Sequence, residues 1–89
     1  MLFRSFLGVD GFDPAIGITT PNVLESRVNR AMVQASRKVV VVCDSTKFQR
    51  RSLALIVPPT AIHTVITDDG LSASDAETLR NAGIKVIIA

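Results

Sequence analysis

The chain has 89 residues, 47 % of them apolar and 20 % charged, with neither Trp nor Tyr and a formal net charge of +2. This length excludes more than one domain, the composition excludes disorder, and the mild charge gives no broad basic footprint for nucleic acid. No apolar run approaches the ~20 residues of a membrane helix. A chain this short buries only about 60–65 % of the surface its unfolded form exposes, so it is marginal as a free-standing unit.

The opening MLFRS reads as a non-native leader, which assigns residues 1–5 to a leader and 6–89 to the domain proper. Phe6–Val9 is a short apolar run ending at Asp10, and it predicts a strand. Gly11, Asp13, Pro14 and Gly17 mark the next stretch as loop. Asn22, with Glu25 three places on, forms a capping-box pattern. Leu24, Val28, Ala31 with Met32, and Ala35 then recur at helical spacing, which predicts a helix over 22–37.

Lys38–Cys43 follows without polar alternation, as expected of a strand covered on both faces in a parallel sheet. Ser52–Val57 predicts another short strand, stopped by Pro58 and Pro59. Thr64–Thr67 predicts a strand that closes in Asp68-Asp69-Gly70. Ser72 and Asp75 make a second capping box, Ala76, Leu79 and Ala82 an apolar stripe, and Gly83 a helix-terminating glycine. Lys85–Ala89 is the last strand. The alternation predicts an α/β fold, a Rossmann-like parallel sheet with flanking helices.

Asp10, Asp44 and Asp68 each follow an apolar strand directly. Ligands of open parallel sheets sit outside the carboxyl ends of the strands, so the three carboxylates are expected on one rim. There a carboxylate can accept hydrogen bonds from sugar hydroxyls. Lys47 adds a compact cation suited to phosphate, and Thr19 and Thr20 add hydroxyls just before a helix amino end that favours anions. The set points to a polyol phosphate.

Each residue also has a plain structural reading. Asp68-Asp69-Gly70 is a turn signal, and Asp10 and Asp44 can cap turns. Thr19 and Thr20 can satisfy backbone, and Arg50 and Arg51 can be solvated charges. His63 has no acidic or cysteine partner nearby in sequence and reads as a strand-edge residue. Cys43, the single cysteine, reads as a small core residue; it forms no internal disulfide, lacks a second soft ligand for zinc, and fits a reducing cytoplasm.

GVDGFDPAIGITTPN, then VNRAM, VVCDSTKFQRRSLALIVPP and ITDDGL, in this order and spacing, resemble the sensor domain of the DeoR family of bacterial sugar-metabolism repressors. The resemblance runs from Phe6 to Ala89. It implies the later, C-terminal part of a sensor of the ribose-5-phosphate isomerase and CoA-transferase-like type. A winged helix-turn-helix and an early sensor loop would precede it in the full-length parent. It further implies a sugar-phosphate effector, operator DNA bound only through that N-terminal domain, a homo-oligomeric parent, and neither cofactor, metal nor membrane partner. On this reading Asp10, Gly11, Thr19, Thr20, Asp44 and Lys47 form the effector site. Bare edges and apolar faces would then make the isolated chain poorly soluble, self-associating or partly folded.

The isomerase relatives sharpen this expectation. Gly8, Asp10 and Asp13 resemble their Gly-x-Asp-x-x-Asp motif, and Asp44-Ser45-Thr46-Lys47 resembles their Asp-x-Ser-Lys loop. Their proton-moving glutamate falls on Asn29, and an amide is no base. The expectation is therefore a non-catalytic sensor. The alternative is a sugar-phosphate isomerase using Asp10, Asp13 and Glu25 as acid and base. A third reading, Mg²⁺ or phosphoacceptor chemistry on the aspartate rim, does not match the residue order of receiver domains.

Overall fold

A computed structural model describes residues 2–48 and 54–89. In chain order the elements are β1 (Leu2–Gly8), β2 (Gly11–Asp13), β3 (Gly17–Thr20), α1 (Val23–Gln34), β4 (Ser36–Val42), β5 (Ala54–Val57), β6 (Thr64–Thr67), α2 (Ala73–Asn81) and β7 (Lys85–Ile88). Single 3-10 turns lie at Ser45–Lys47 and Pro59–Ala61. The fold is α/β. Its main sheet is parallel, in the order β1-β4-β6-β7, and a smaller antiparallel sheet has the order β2-β3-β5.

Every step along the main sheet moves in the same direction. Right-handed crossovers then put all three connections on one face. The burial agrees. Leu7, Val41, Val65 and Val86 form one register row, and with Val39 they look into a core shared with Phe12, Ile18, Phe48, Val57 and Leu79. The other face carries the rows Phe6–Val40–Thr64–Lys85 and Gly8–Val42–Ile66–Ile87. There Phe6 is 63 % and Val42 46 % exposed. The expectation of a strand covered on both faces therefore holds fully on one side of β4 and only at Val40, 9 % exposed, on the other.

Three other expectations change. The loop expected from Gly11 to Gly17 is a β-hairpin, β2–β3, turning at Asp13–Ile16. The Ile16 N–H donates to the Asp13 carbonyl at 3.0 Å, and the Ala15 N–H donates to Asp13 Oδ1 at 2.9 Å. Phe12 and Ile18 are fully buried, and the Phe12 ring stacks on Phe48 with centroids 4.9 Å apart. Strands of three and four residues are too short for alternation to reveal them. The strand expected at 52–57 exists as β5, but it pairs antiparallel with β3 rather than joining the parallel sheet. Ser52 and Leu53 lie outside the described residues. Finally, β1 runs back to Leu2, and β4 starts at Ser36 to pair with it, so α1 ends at Gln34.

The spacing of α1 is helical as expected, but its apolar stripe faces outward. Leu24 is 71 % and Val28 56 % exposed. The helix instead lies against β5, β3, β4 and β1 through Ser26, fully buried, and half-buried Asn29 and Val33. Ser26 is small and returns its hydroxyl to the Val23 carbonyl, 2.6 Å away, which permits a close seat. Helix α2 follows its signals more fully. Ser72 accepts the Asp75 N–H, Ala76 and Leu79 are buried, and Gly83 at φ 85° ends the helix. The Gly83 N–H reaches the Arg80 carbonyl and the Ile84 N–H that of Leu79, a Schellman pair.

Gly17 sits at φ 120°, and a Cβ there would collide with the Val57 carbonyl oxygen. Gly17→Ala is expected to destabilise the chain by at least about 2 kcal/mol, read from denaturant unfolding. A midpoint unchanged from the parent would show that the hairpin does not depend on this close approach.

Candidate ligand site at the carboxyl ends of the strands

Gly8, Val42 and Ile66 share one register row across β1, β4 and β6. Two residues beyond each stands an aspartate: Asp10, Asp44 and Asp68. The three carboxylates therefore leave the sheet at one rim. On it an open cleft of about 260 Å³ is lined by Val42, Cys43, Asp44, Ile66, Thr67, Asp68 and Ala89.

The rim carboxylates do different work. Asp68 Oδ2 accepts the Ser45 N–H at 2.9 Å, and Oδ1 accepts the Gly70 N–H at 2.8 Å. This ties the loop after β4 to the loop after β6. These bonds, with one from the Ser45 hydroxyl, hold its pKa below the ordinary carboxylate value. Asp44 caps the 3-10 turn. Its Oδ1 accepts the Thr46 N–H at 2.9 Å and also the Thr46 hydroxyl, and that hydroxyl bond leads in lowering its pKa. Asp10 is exposed and takes one bond, from Thr20 Oγ1 at 3.1 Å.

Thr20 is buried, and its hydroxyl also accepts the Asn22 N–H at 3.3 Å. It links the start of α1 to the Asp10 carboxylate instead of presenting a free hydroxyl. Thr19 is buried too, with its backbone paired to Gly11, itself buried in β2. Gly11, Thr19 and Thr20 thus build the floor beneath Asp10. Lys47 ends the 3-10 turn, half-buried. Among the described residues its ammonium makes neither a hydrogen bond nor a salt bridge, while its charge acts on Asp44 and Cys43. Phe12 and Phe48 form a parallel bridge, which brings the segments carrying Asp10 and Lys47 side by side.

The remaining candidates have structural tasks. Asp13 is buried in the hairpin turn. The thiol of Cys43 is pushed up to about 11 by burial, then by the charges of Asp44 and Asp68, so it stays protonated at neutral pH. His63 Nδ1 accepts the Val39 N–H at 2.9 Å, which fixes the lone pair on that nitrogen and couples the imidazole to the middle of β4. Thr67 lines the cleft, yet its hydroxyl is buried without a hydrogen-bond partner among the described residues. Arg50 and Arg51 lie outside the described residues. Sequence reasoning weighed Asp68 as a turn residue and missed its bond to Ser45. The DDG signal reports the turn but not a partner 23 positions away.

A sequence model described as the DeoR C terminal sensor domain matches residues 3–69. The chain is 43 % identical over 83 residues to a protein of Escherichia coli O157:H7 named "Putative aga operon transcriptional repressor"; the match covers 93 % of this chain and 31 % of that one. It is 39 % identical over 82 residues to the HTH-type transcriptional regulator GlpR of Haloferax volcanii, covering 92 % and 32 %. It is 37 % identical over 89 residues to the uncharacterized HTH-type transcriptional regulator YgbI of Escherichia coli K12, covering 100 % and 34 %. The chain therefore spans about a third of the length of these relatives. Among the described residues, no helix is long and apolar enough to cross a membrane.

The lowered pKa values of Asp44 and Asp68 have a definite consequence. Each carboxylate stabilises the fold above its unfolded pKa of about 3.9, and that contribution is lost as pH falls through the lower folded value. Urea midpoints are expected to hold above about pH 5 and to decline below it. Asp68→Asn is expected to lower stability at pH 7 and to flatten the decline. An acid decline as steep as the parent's in that variant would count against the brace.

Proposed function

The chain belongs to the DeoR family through its C-terminal sensor domain, and on that footing we propose that it binds a phosphorylated sugar at the aspartate rim. In the full-length parent this binding relieves repression by a DNA-binding domain at the amino end. The observation that carries the reading is the uncommitted ammonium of Lys47, held on a loop braced by Asp68 and beside the segment bearing Asp10. A half-buried cation without a hydrogen bond or salt bridge among the described residues is suited to an anionic group from outside. Asp10, seated on Thr20, is suited to sugar hydroxyls.

Asp44 serves the ligand by shaping the turn that carries Lys47. The amide N–H groups from Ser45 to Phe48 are all spent on Asp68, Asp44 or the turn itself. Phosphate recognition therefore falls to the lysine rather than to a backbone cradle. The sensor acts in the cytoplasm of a homo-oligomeric parent and performs no catalysis; Asn29, which takes the place of the isomerases' glutamate when the sequences are aligned back from Lys47 without gaps, supports that last part. The effector shifts the repressor to its released state by binding that state more tightly.

In the full-length parent, Lys47→Ala is expected to raise the effector concentration for half-release of operator about 10- to 100-fold, as for a lost charge-assisted bond of about 1.5–3 kcal/mol. Its thermal unfolding should match the parent's. Titration with pentose and hexose phosphates, followed by operator-binding anisotropy, reads this. An effector response equal to the parent's would refute the role of Lys47.

A further inference from the structure

Ser45, the first residue of the 3-10 turn, is held at three points by the loop that follows β6. Its N–H donates to Asp68 Oδ2 at 2.9 Å, and its hydroxyl bonds to the same carboxylate. The third contact is with Gly70. A Cβ at position 70 would collide with Ser45 Oγ and stand 3.3 Å from Ser45 Cβ and 2.9 Å from Asp68 Oδ1. Gly17 and Gly83 have left-handed φ angles and Gly70 does not, so what Gly70 supplies is space. It is also exposed, so burial does not exclude a side chain there; the seated Ser45 does.

Neither side of this contact is free to retreat. The Gly70 N–H donates to Asp68 Oδ1 at 2.8 Å, and the Leu71 N–H reaches the Asp68 carbonyl at 3.3 Å. Ser72 then caps α2, whose Ala76 and Leu79 are buried. On the other side the Phe48 N–H closes the turn on the Ser45 carbonyl at 3.2 Å, and the Phe48 ring stacks on Phe12. Lys47 stands between Ser45 and Phe48. Those two anchors fix where its side chain leaves the turn.

We propose that Gly70 is a positioning residue for Lys47: by leaving room for Ser45 it sets the place of the ammonium, and so the affinity of the rim for a phosphorylated ligand. The inference rests on the ligand reading proposed for that rim. Gly70 itself touches no ligand. A methyl group at position 70 displaces Ser45, opens its bonds to Asp68 and moves the turn by about 1 Å, a shift large enough to spoil a contact that depends on placement.

Two measurements test this. In the full-length parent, operator-binding anisotropy is titrated with ribose 5-phosphate and with glucose 6-phosphate, with thermal midpoints and effector-free operator binding confirming folding. Gly70→Ala is expected to raise the half-release concentration about tenfold, and Ser45→Leu, which crowds the same contact from the other side, by at least as much. Adding Ser45→Ala to Gly70→Ala removes the colliding oxygen and should return the response to within about threefold of the parent. Gly70→Ala combined with Lys47→Ala should match Lys47→Ala alone within about twofold, since a residue that acts only through Lys47 has nothing left to act on. In the 89-residue chain without ligand, carboxyl-carbon NMR follows Asp68. Bonds from Ser45 lead in holding its pKa low, so Gly70→Ala should move that titration upward and leave that of Asp44, held first by Thr46, in place.

An Asp68 titration that stays where it was overturns the proposal. So does a loss that adds in full to that of Lys47→Ala, or one that Ser45→Ala does not relieve. Normal operator release in Gly70→Ala beside impaired release in Lys47→Ala overturns this proposal and leaves the ligand reading standing. Normal release in Lys47→Ala overturns both.

Discussion

The register Gly8–Val42–Ile66 is the constraint from which the rest follows. Parallel strands point their carboxyl ends the same way, so residues that follow equivalent positions emerge together. Beyond each of these three strands, two residues past the row, stands an aspartate. A slip of one residue in β4 would send Val39 and Val41 to the bare face and move Asp44 out of line with its neighbours. The hydrophobic demand for Val39 and Val41 in the core thus also fixes the rim. No separate device is needed to bring Asp10, Asp44 and Asp68 to one edge.

Proximity on the rim does not make the carboxylates equivalent. Asp68 is engaged in holding two loops together, Asp44 in folding the turn beneath Lys47, and Thr20 in linking α1 to Asp10. The polar groups left least committed are the Asp10 carboxylate and the Lys47 ammonium. A rim rich in charge therefore reduces to one acidic and one basic group, each seated by residues that themselves touch nothing outside. This division explains how a short, marginal chain can keep a defined loop. The same carboxylates that shape it draw part of their stability from being ionised, which links the geometry of the turn to pH.

The sequence made legible what depends on long or local signals. The run Lys38–Cys43 announced β4, the Ser72 and Asp75 pair announced α2, and Gly83 announced its end. The strand-terminal aspartates were visible because each follows an apolar run. What was not legible depends on partners distant in sequence. The hairpin at Gly11–Thr20 looked like loop because its glycines and proline dominate short strands, while the burial of Phe12 depends on Phe48, 36 positions away by number. The orientation of α1 was hidden for the same reason. Helical spacing identifies a stripe but not which stripe meets the sheet, and here the small, polar Ser26 side won the close approach. The DeoR resemblance, carried by GVDG, GITTPN and DSTKF, reached the family that the comparisons independently show.

The one-sided topology also bears on how the two ends of the sheet relate. Crossovers that all return on one face leave the strand termini as the places where charge can collect, because the middle must stay apolar for β4 and β6 to pair and bury their inner sides. Cations at the amino ends and carboxylates at the carboxyl ends then give the bare face a polarity along its strands. Within one chain the two ends are too far apart to neutralise each other directly, since about five residues of extended strand separate them by roughly 17 Å, well beyond a Debye length of about 8 Å. Each end is left to find a counter-charge elsewhere. For the carboxyl rim, the Lys47 charge beside Asp44 supplies part of it, and that same cation is the group to which an anionic ligand would be drawn. At the amino ends Arg4, Lys38 and Lys85 are exposed, and water with its ions screens them.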